Sequence, residues 1–246
     1  MMEDELEVKT IKIVQDPKIS LKQFSKYGSA TVNAKNSILI KSKYPSDYVP
    51  RFYEMARKII CDTFGANFTD YSLYFDEFVR QASLLKKKAL EFPTNKDTHK
   101  NRVCSADALI ALTEMGSQIV PLLKKYILNS NISNKKDSIT VEDVKIGAMA
   151  DMLLFEDAGA TQVGFLKFNF TKKAMTNLEA EHMLYVLRSF FLEKRGLEVN
   201  FNECILIDVF SSKIYRAANI ALTEVSTKKL CREIKEKWPL LKKIDK

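Results

Sequence analysis

At 246 residues, with 46% apolar content and a charged fraction of 28%, the chain can bury a large core in one domain or two closely packed ones, which excludes extended disorder. Its 39 Lys+Arg against 31 Asp+Glu give a formal charge of +8, which suits a polyanionic partner such as nucleic acid. No apolar run reaches the roughly 18 residues of a membrane span, and the amino end, MMEDELEVKT, is acidic where a secretory leader would be basic and then apolar, so we expect a cytoplasmic chain with no membrane segment.

Residues 1–43 alternate weakly. VKTIKIV and SILIKS are the expected strands, around a polar middle at 20–36, and together they read as a small amino-terminal strand layer. Residues 44–138 read as a helical region. A first helix should start after Pro50 and stop at Gly65, with Phe52, Met55, Ile59, Ile60 and Phe64 as its apolar face. A second should run over 70–92, apolar at Leu73, Phe78, Ala82 and Leu85 and ending in Lys86, Lys87 and Lys88, a run that reads first as a solvated helix face. FPTNKDTHKNR has the composition of a loop. A long helix over 105–129 follows, with Leu109, Leu112, Met115, Ile119, Leu122, Leu123 and Tyr126 on one stripe and a kink at Pro121.

Residues 139–246 change character. ITVEDVKIG, DMLLF, QVGFLKFNF and CILIDVF are β-branched or aromatic runs of strand length. Between the last two lies a helix over 176–195, where Thr176 and Glu179 have capping-box spacing, the last turn is basic, and Gly196 provides the stop. A final helix over 226–238 should end at Pro239. The expected class is therefore α+β with an α/β core, a helical amino half preceding a mixed sheet flanked by helices.

Most other chemistries lack their residues. Cys61, Cys104, Cys204 and Cys231 are far apart and each sits in apolar company, so reduced thiols are expected and no zinc or redox pair. With only His99 and His182, a hydrolytic triad has no support, and His182 is expected on a helix flank facing solvent. No glycine-rich nucleotide loop is present.

The chemistry-bearing stretch is 146–185. Alternation in the strand over 162–170 puts Val163, Phe165, Lys167 and Asn169 on one face, and Asp151 shares a face with Leu153 and Phe155 in the strand before it. The turn EDAGAT joins the two strands, so Asp151 and Lys167 can meet across the hairpin. A plainer arrangement has Lys167 reaching solvent at the sheet edge while Asp151 caps a turn. Asp208, ending CILID, is open to the same two readings: rim of a site or turn cap.

An acid on one strand, a lysine on the next, then a helix bearing Glu181 and Tyr185 resembles the RecB-type branch of the PD-(D/E)XK nucleases, which includes CRISPR-associated exonucleases. Asp151 in GAMAD matches that branch's first acid, Lys167 in FLK its lysine, Tyr185 its tyrosine, and Glu181 stands where the helix glutamine would be. The resemblance implies a restriction-endonuclease-like fold, Asp151, Lys167, Glu181 and Tyr185 as site residues, and Mg²⁺ or Mn²⁺ held by Asp151 and Glu181. The acid expected two residues before the lysine is Phe165, and one aspartate is a poor site for a hard cation. Either Glu179 or Glu181 supplies the second acid from the helix, or the centre is inactive and the fold serves binding or assembly.

The carboxy-terminal half also looks like a group of uncharacterised bacterial proteins, some associated with phage-defence gene clusters. The expected function is nucleic-acid association in bacterial defence or DNA repair. A protein partner, a larger nuclease or ATPase, is the alternative for the aromatic-rich stretch 44–78.

Overall fold

The structure, a computed structural model, describes residues 12–48, 52–217 and 220–242. The chain opens with a two-residue strand β1 (Lys18–Ile19) and helices α1 (Leu21–Ser29) and α2 (Val32–Lys43). Helices α3 (Glu54–Phe64), α4 (Ser72–Ala89), α5 (Asp97–Glu114) and α6 (Gly116–Lys125) follow. Five strands come next: β2 (Ile127–Ser130), β3 (Ser138–Val141), β4 (Val144–Gly147), β5 (Met152–Glu156) and β6 (Thr161–Asn169). Helix α7 (Asn177–Arg195), strands β7 (Cys204–Asp208) and β8 (Lys213–Arg216), and helix α8 (Ile220–Lys237) complete it.

The class is α+β, as expected. The main sheet has the order β2-β5-β6-β7-β8, and a smaller one has the order β1-β4-β3. In the main sheet only β6 and β7 are parallel, a pairing that requires a crossover, and α7 is that crossover. Because β6 and β7 are central and covered on both faces, they read as nearly continuous apolar runs rather than alternating ones. One face, with Met152, Leu154, Leu166, Phe168, Ile205 and Ile207, packs on α3 to α6. The other face carries Phe165, Cys204 and Leu206 against α7, with α1, α8 and the small sheet completing that core.

Helix α7 forms as the sequence requires. Thr176 and Glu179 make both bonds of the capping box, and Gly196 adopts the left-handed C-cap with φ 65°. The turn EDAGAT does close a hairpin between β5 and β6, with Ala158 and Gly159 at positive φ.

The amino-terminal expectation fails. SILIKS lies in α2 rather than in a strand, and of 12–43 only β1 joins a sheet, while most of VKTIKIV falls outside the described residues. Ser20 explains the first helix: its hydroxyl accepts from Gln23 N and the Gln23 side chain returns the bond, a capping box that outweighs the weak alternation. Pro50 is outside the described residues, and α3 begins at Glu54; Phe52, expected in its apolar face, is exposed, as is Leu73 on α4.

The long helix expected over 105–129 is also two elements and part of a third. It starts earlier, at Asp97, whose carboxylate suits the first turn. It breaks at Met115 and Gly116 with a bend of 76°, not at Pro121, which sits inside α6. The Phe75 ring of α4 lies against Gly116 at this break. Residues 127–130 become the edge strand β2 because β5 offers them an antiparallel partner. Among the described residues no single helix is long and apolar enough to cross a membrane.

Candidate functional site

The site lies at the carboxyl end of β6, in the main sheet, beside the residues that lead into β5. A cleft of about 720 Å³ opens there. It is lined from α1 by Ser20, Leu21 and Lys22, from α3 and the residues before it by Phe52, Tyr53, Glu54, Arg57 and Lys58, and from β6 by Lys167 to Phe170.

Asp151 is fully buried just ahead of β5. Its backbone N–H donates to Leu166 O at 3.0 Å, and its carbonyl accepts from Asn131 N at 2.8 Å, so the side chain is held from both sides. Both carboxylate oxygens are engaged. Oδ1 accepts from Lys167 Nζ at 2.9 Å and lies 3.2 Å from Arg57 Nε, while Oδ2 accepts from Phe168 N at 2.8 Å. The expected meeting of Asp151 and Lys167 across the hairpin therefore occurs, and neither the solvent-reaching lysine nor the turn-capping aspartate does.

Lys167 is 8% exposed and lines the cleft floor. Burial lowers its pKa, and the Arg57 charge works the same way, while Asp151 opposes both. The Cys61 thiol, one turn after Arg57 on α3, donates to the Asp151 carbonyl, and its pKa is raised by burial. At the mouth, Lys22 makes no ion pair with a described residue. Desolvation and the positive charges of Lys26 and Arg57 lower its pKa. The other charged lining residues are neutralised in pairs: Lys58 with Asp62, Lys135 with Glu54, and Asp137 with Arg195.

Glu181 and Tyr185 do not join this cluster. Met183 of α7 lines the cleft, and Glu181 lies two residues earlier, roughly 200° around the helix. Tyr185 follows Glu181 on the same stripe; burial raises its pKa, and the charges around it include Glu224 and Lys228 of α8. Glu179 is no substitute acid, because one oxygen accepts from Ser29 Oγ and the other from Thr176 N in the helix cap. Phe165 is buried and stacked on Phe191, with ring centroids 5.1 Å apart.

A divalent cation does not fit this donor set. Among the described residues no three His, Cys, Asp or Glu side chains converge as metal ligands. The one carboxylate at the centre already holds two cations and a backbone N–H, so a hard cation would find neither the oxygens nor the local negative charge it needs.

His182 is not on a solvent-facing flank. It is fully buried, with Nδ1 3.2 Å from Thr227 Oγ1 and Nε2 3.4 Å from Ser226 Oγ, and burial pushes its pKa down to about 4. Asp208 is a clamp: Oδ1 accepts from Asn169 Nδ2 at 2.7 Å, and Oδ2 from Met175 N and Ser211 Oγ. Its side chain does not cap the turn that follows it; it is buried and bonded to Asn169, which lines the cleft.

Arg57 and Lys22 were not legible as site residues. Each sits on a helix of the amino half with no catalytic motif around it, and only the fold brings them to the cleft that Lys167 lines. No protein-family model matches the sequence, and no curated protein matches it either.

Proposed function

We propose that this chain binds nucleic acid through a PD-(D/E)XK-like core that has no cleavage centre. The observation that carries the reading is the Asp151, Lys167 and Arg57 cluster at the floor of an open cleft, with an apolar ring at Phe165 where a second acid would stand. An acid on one strand beside a lysine on the next is the arrangement the resemblance implies. Here the centre's single carboxylate serves its own cations. What is left over for a ligand is positive charge, which attracts phosphate rather than a metal.

Binding of this kind neutralises phosphates with lysine and arginine and releases condensed counterions, so affinity falls steeply with salt. Fluorescence anisotropy with labelled DNA and RNA over a salt series, paired with cleavage assays in Mg²⁺ and Mn²⁺, tests the reading. We expect binding that weakens as salt rises and no cut strands in either metal. Metal-dependent cutting that disappears in Lys167→Ala would establish a nuclease instead, and no binding at low salt would retire the nucleic-acid reading.

The second reading is an assembly subunit that docks a larger nuclease or ATPase through its helical half. The observation favouring it is the exposure of Leu73, Val79 and Leu84 on α4, and of Leu90 just after it. Co-purification of a stoichiometric partner that is lost when Leu84 and Leu90 become charged would support it.

A further inference from the structure

We propose that the cleft binds a phosphate monoester, the terminal phosphate of a nucleic acid strand or of a nucleotide, on Lys22, Arg57 and Lys167. This rests on the reading of the cleft as a nucleic-acid site and names the part of the ligand it grips.

Charge count argues for a monoester. Among the lining residues whose charges are not already neutralised by a partner outside the cluster, three cations face the single carboxylate of Asp151, a surplus of two positive charges. A phosphodiester inside a strand brings one negative charge per phosphate. A terminal phosphate brings nearly two near neutral pH and has three free oxygens to accept hydrogen bonds. The surplus matches the second.

Donor count agrees. Lys167 spends one of its three N–H donors on Asp151. Arg57 approaches the same carboxylate through Nε as an ion pair, yet that buried Nε makes no hydrogen bond. A buried donor without an acceptor is costly, and an anion seated between Lys167 and Arg57 is placed to supply one. Lys22 lines the same cleft, where desolvation first and then the charges of Lys26 and Arg57 lower its pKa; a bound anion would relieve that repulsion. The same cleft wall contributes the first turn of α1, whose positive dipole end adds to the field. Phe52, exposed at the rim, offers a face on which the terminal base can stack.

The feature differs from a metal-centred site in what supplies the positive charge. Arg57 from α3 stands on the aspartate where a cation would otherwise be needed. Phosphate binding should therefore be indifferent to chelators.

The test compares short single-stranded oligonucleotides that differ only in a 5′-phosphate, a 3′-phosphate or hydroxyl ends, together with a 5′-mononucleotide, all in the presence of EDTA. We expect one phosphorylated end to bind about tenfold tighter than the hydroxyl form. That preference should fall below about twofold in Lys22→Gln and in Arg57→Gln and persist in Lys86→Gln, whose lysine lies on α4 outside the cleft. Lys22 is exposed, so its variant keeps the fold, and thermal melting checks Arg57→Gln. A mononucleotide that binds as tightly as the phosphorylated strand assigns the site to free nucleotides, and a weaker one assigns it to strand ends. Equal salt-dependent binding of phosphorylated and hydroxyl strands would overturn the monoester site while leaving the nucleic-acid reading intact. Mononucleotide binding without any strand binding would do the reverse.

Discussion

Two buried polar centres in this fold behave as opposites. Asp151 and Lys167 are charged, meet at 2.9 Å, and open onto a cleft that a third charged group, Arg57, also reaches. His182 is held neutral by burial, has the hydroxyls of Thr227 and Ser226 as partners, meets the Phe24 ring edge to face, and is roofed by Gly28. Both look alike in a sequence, as polar residues inside apolar elements. They differ in whether the surrounding side chains leave charge uncompensated and whether a ligand can reach it. Only the first centre does both, which makes it the candidate site, while the second is a joint between α1, α7 and α8.

The largest test of that contrast removes the carboxylate. Asp151→Ala leaves the Lys167 ammonium and the Arg57 guanidinium close together without their counter-charge, and the loss should be about 3–5 kcal/mol in urea unfolding. Lys167→Met should cost clearly less, because Arg57 remains on Asp151. A loss under about 1 kcal/mol in Asp151→Ala would mean the cluster is solvated and its charges only loosely coupled.

Acid unfolding probes the other centre. The folded pKa of His182, about 4, is below the ordinary 6.5, so the fold favours the neutral ring. The stability it contributes is complete above about pH 6.5 and is lost as pH falls from there toward 4, with at most about 3 kcal/mol at stake. Stability curves for the wild type and His182→Gln should converge in slope above pH 6.5, and the wild type should fall more steeply below it. Parallel curves throughout would show that His182 titrates in the fold as it does in the unfolded chain and that the two centres are not opposites.

Much of the first centre could be read from residues 146–185 alone, because period-two alternation, a short turn and a capped helix are local rules that the fold obeys there. They allow Asp151 and Lys167 to meet, and the packing around them decides that they do. Helix pattern placed Glu181 and Tyr185 on one stripe correctly, but not which way that stripe faces. That depends on α8, which packs along α7 and draws Tyr185 to its side. Arg57 and Lys22 carry no local signature, since only the folded chain brings α1, α3 and the end of β6 to one cleft. The same limit explains the amino-terminal error. SILIKS has strand composition, yet its Leu39 is buried from a helix in the core shared with Phe24 and Tyr27. Tertiary burial overrode propensity there.

A smaller effect is expected at the roof of the joint. A Cβ on Gly28 would come within 2.7 Å of His182 Cδ2 and 3.1 Å of a Leu230 methyl, so Gly28→Ala must push the imidazole or α1 aside. We expect about 1–3 kcal/mol of lost stability in urea, with nucleic-acid affinity unchanged once the protein is folded. Affinity that drops in step with stability would indicate that α1 carries Lys22 out of the cleft as it shifts, coupling the two centres.

The smallest expected effect separates this geometry from the motif it resembles. If Glu181 and Tyr185 acted as the resemblance implies, Glu181→Ala and Tyr185→Phe would damage ligand handling. They share a helix stripe turned away from Met183, the α7 residue that does line the cleft, and the charges nearest Tyr185 belong to α7 and α8. Each variant should therefore change nucleic-acid affinity less than about twofold, beside the much larger losses in Lys22→Gln and Arg57→Gln. A drop of tenfold or more in Glu181→Ala would place a strand along α7 as well as over the cleft. The working surface would then extend across the joint that His182 seals.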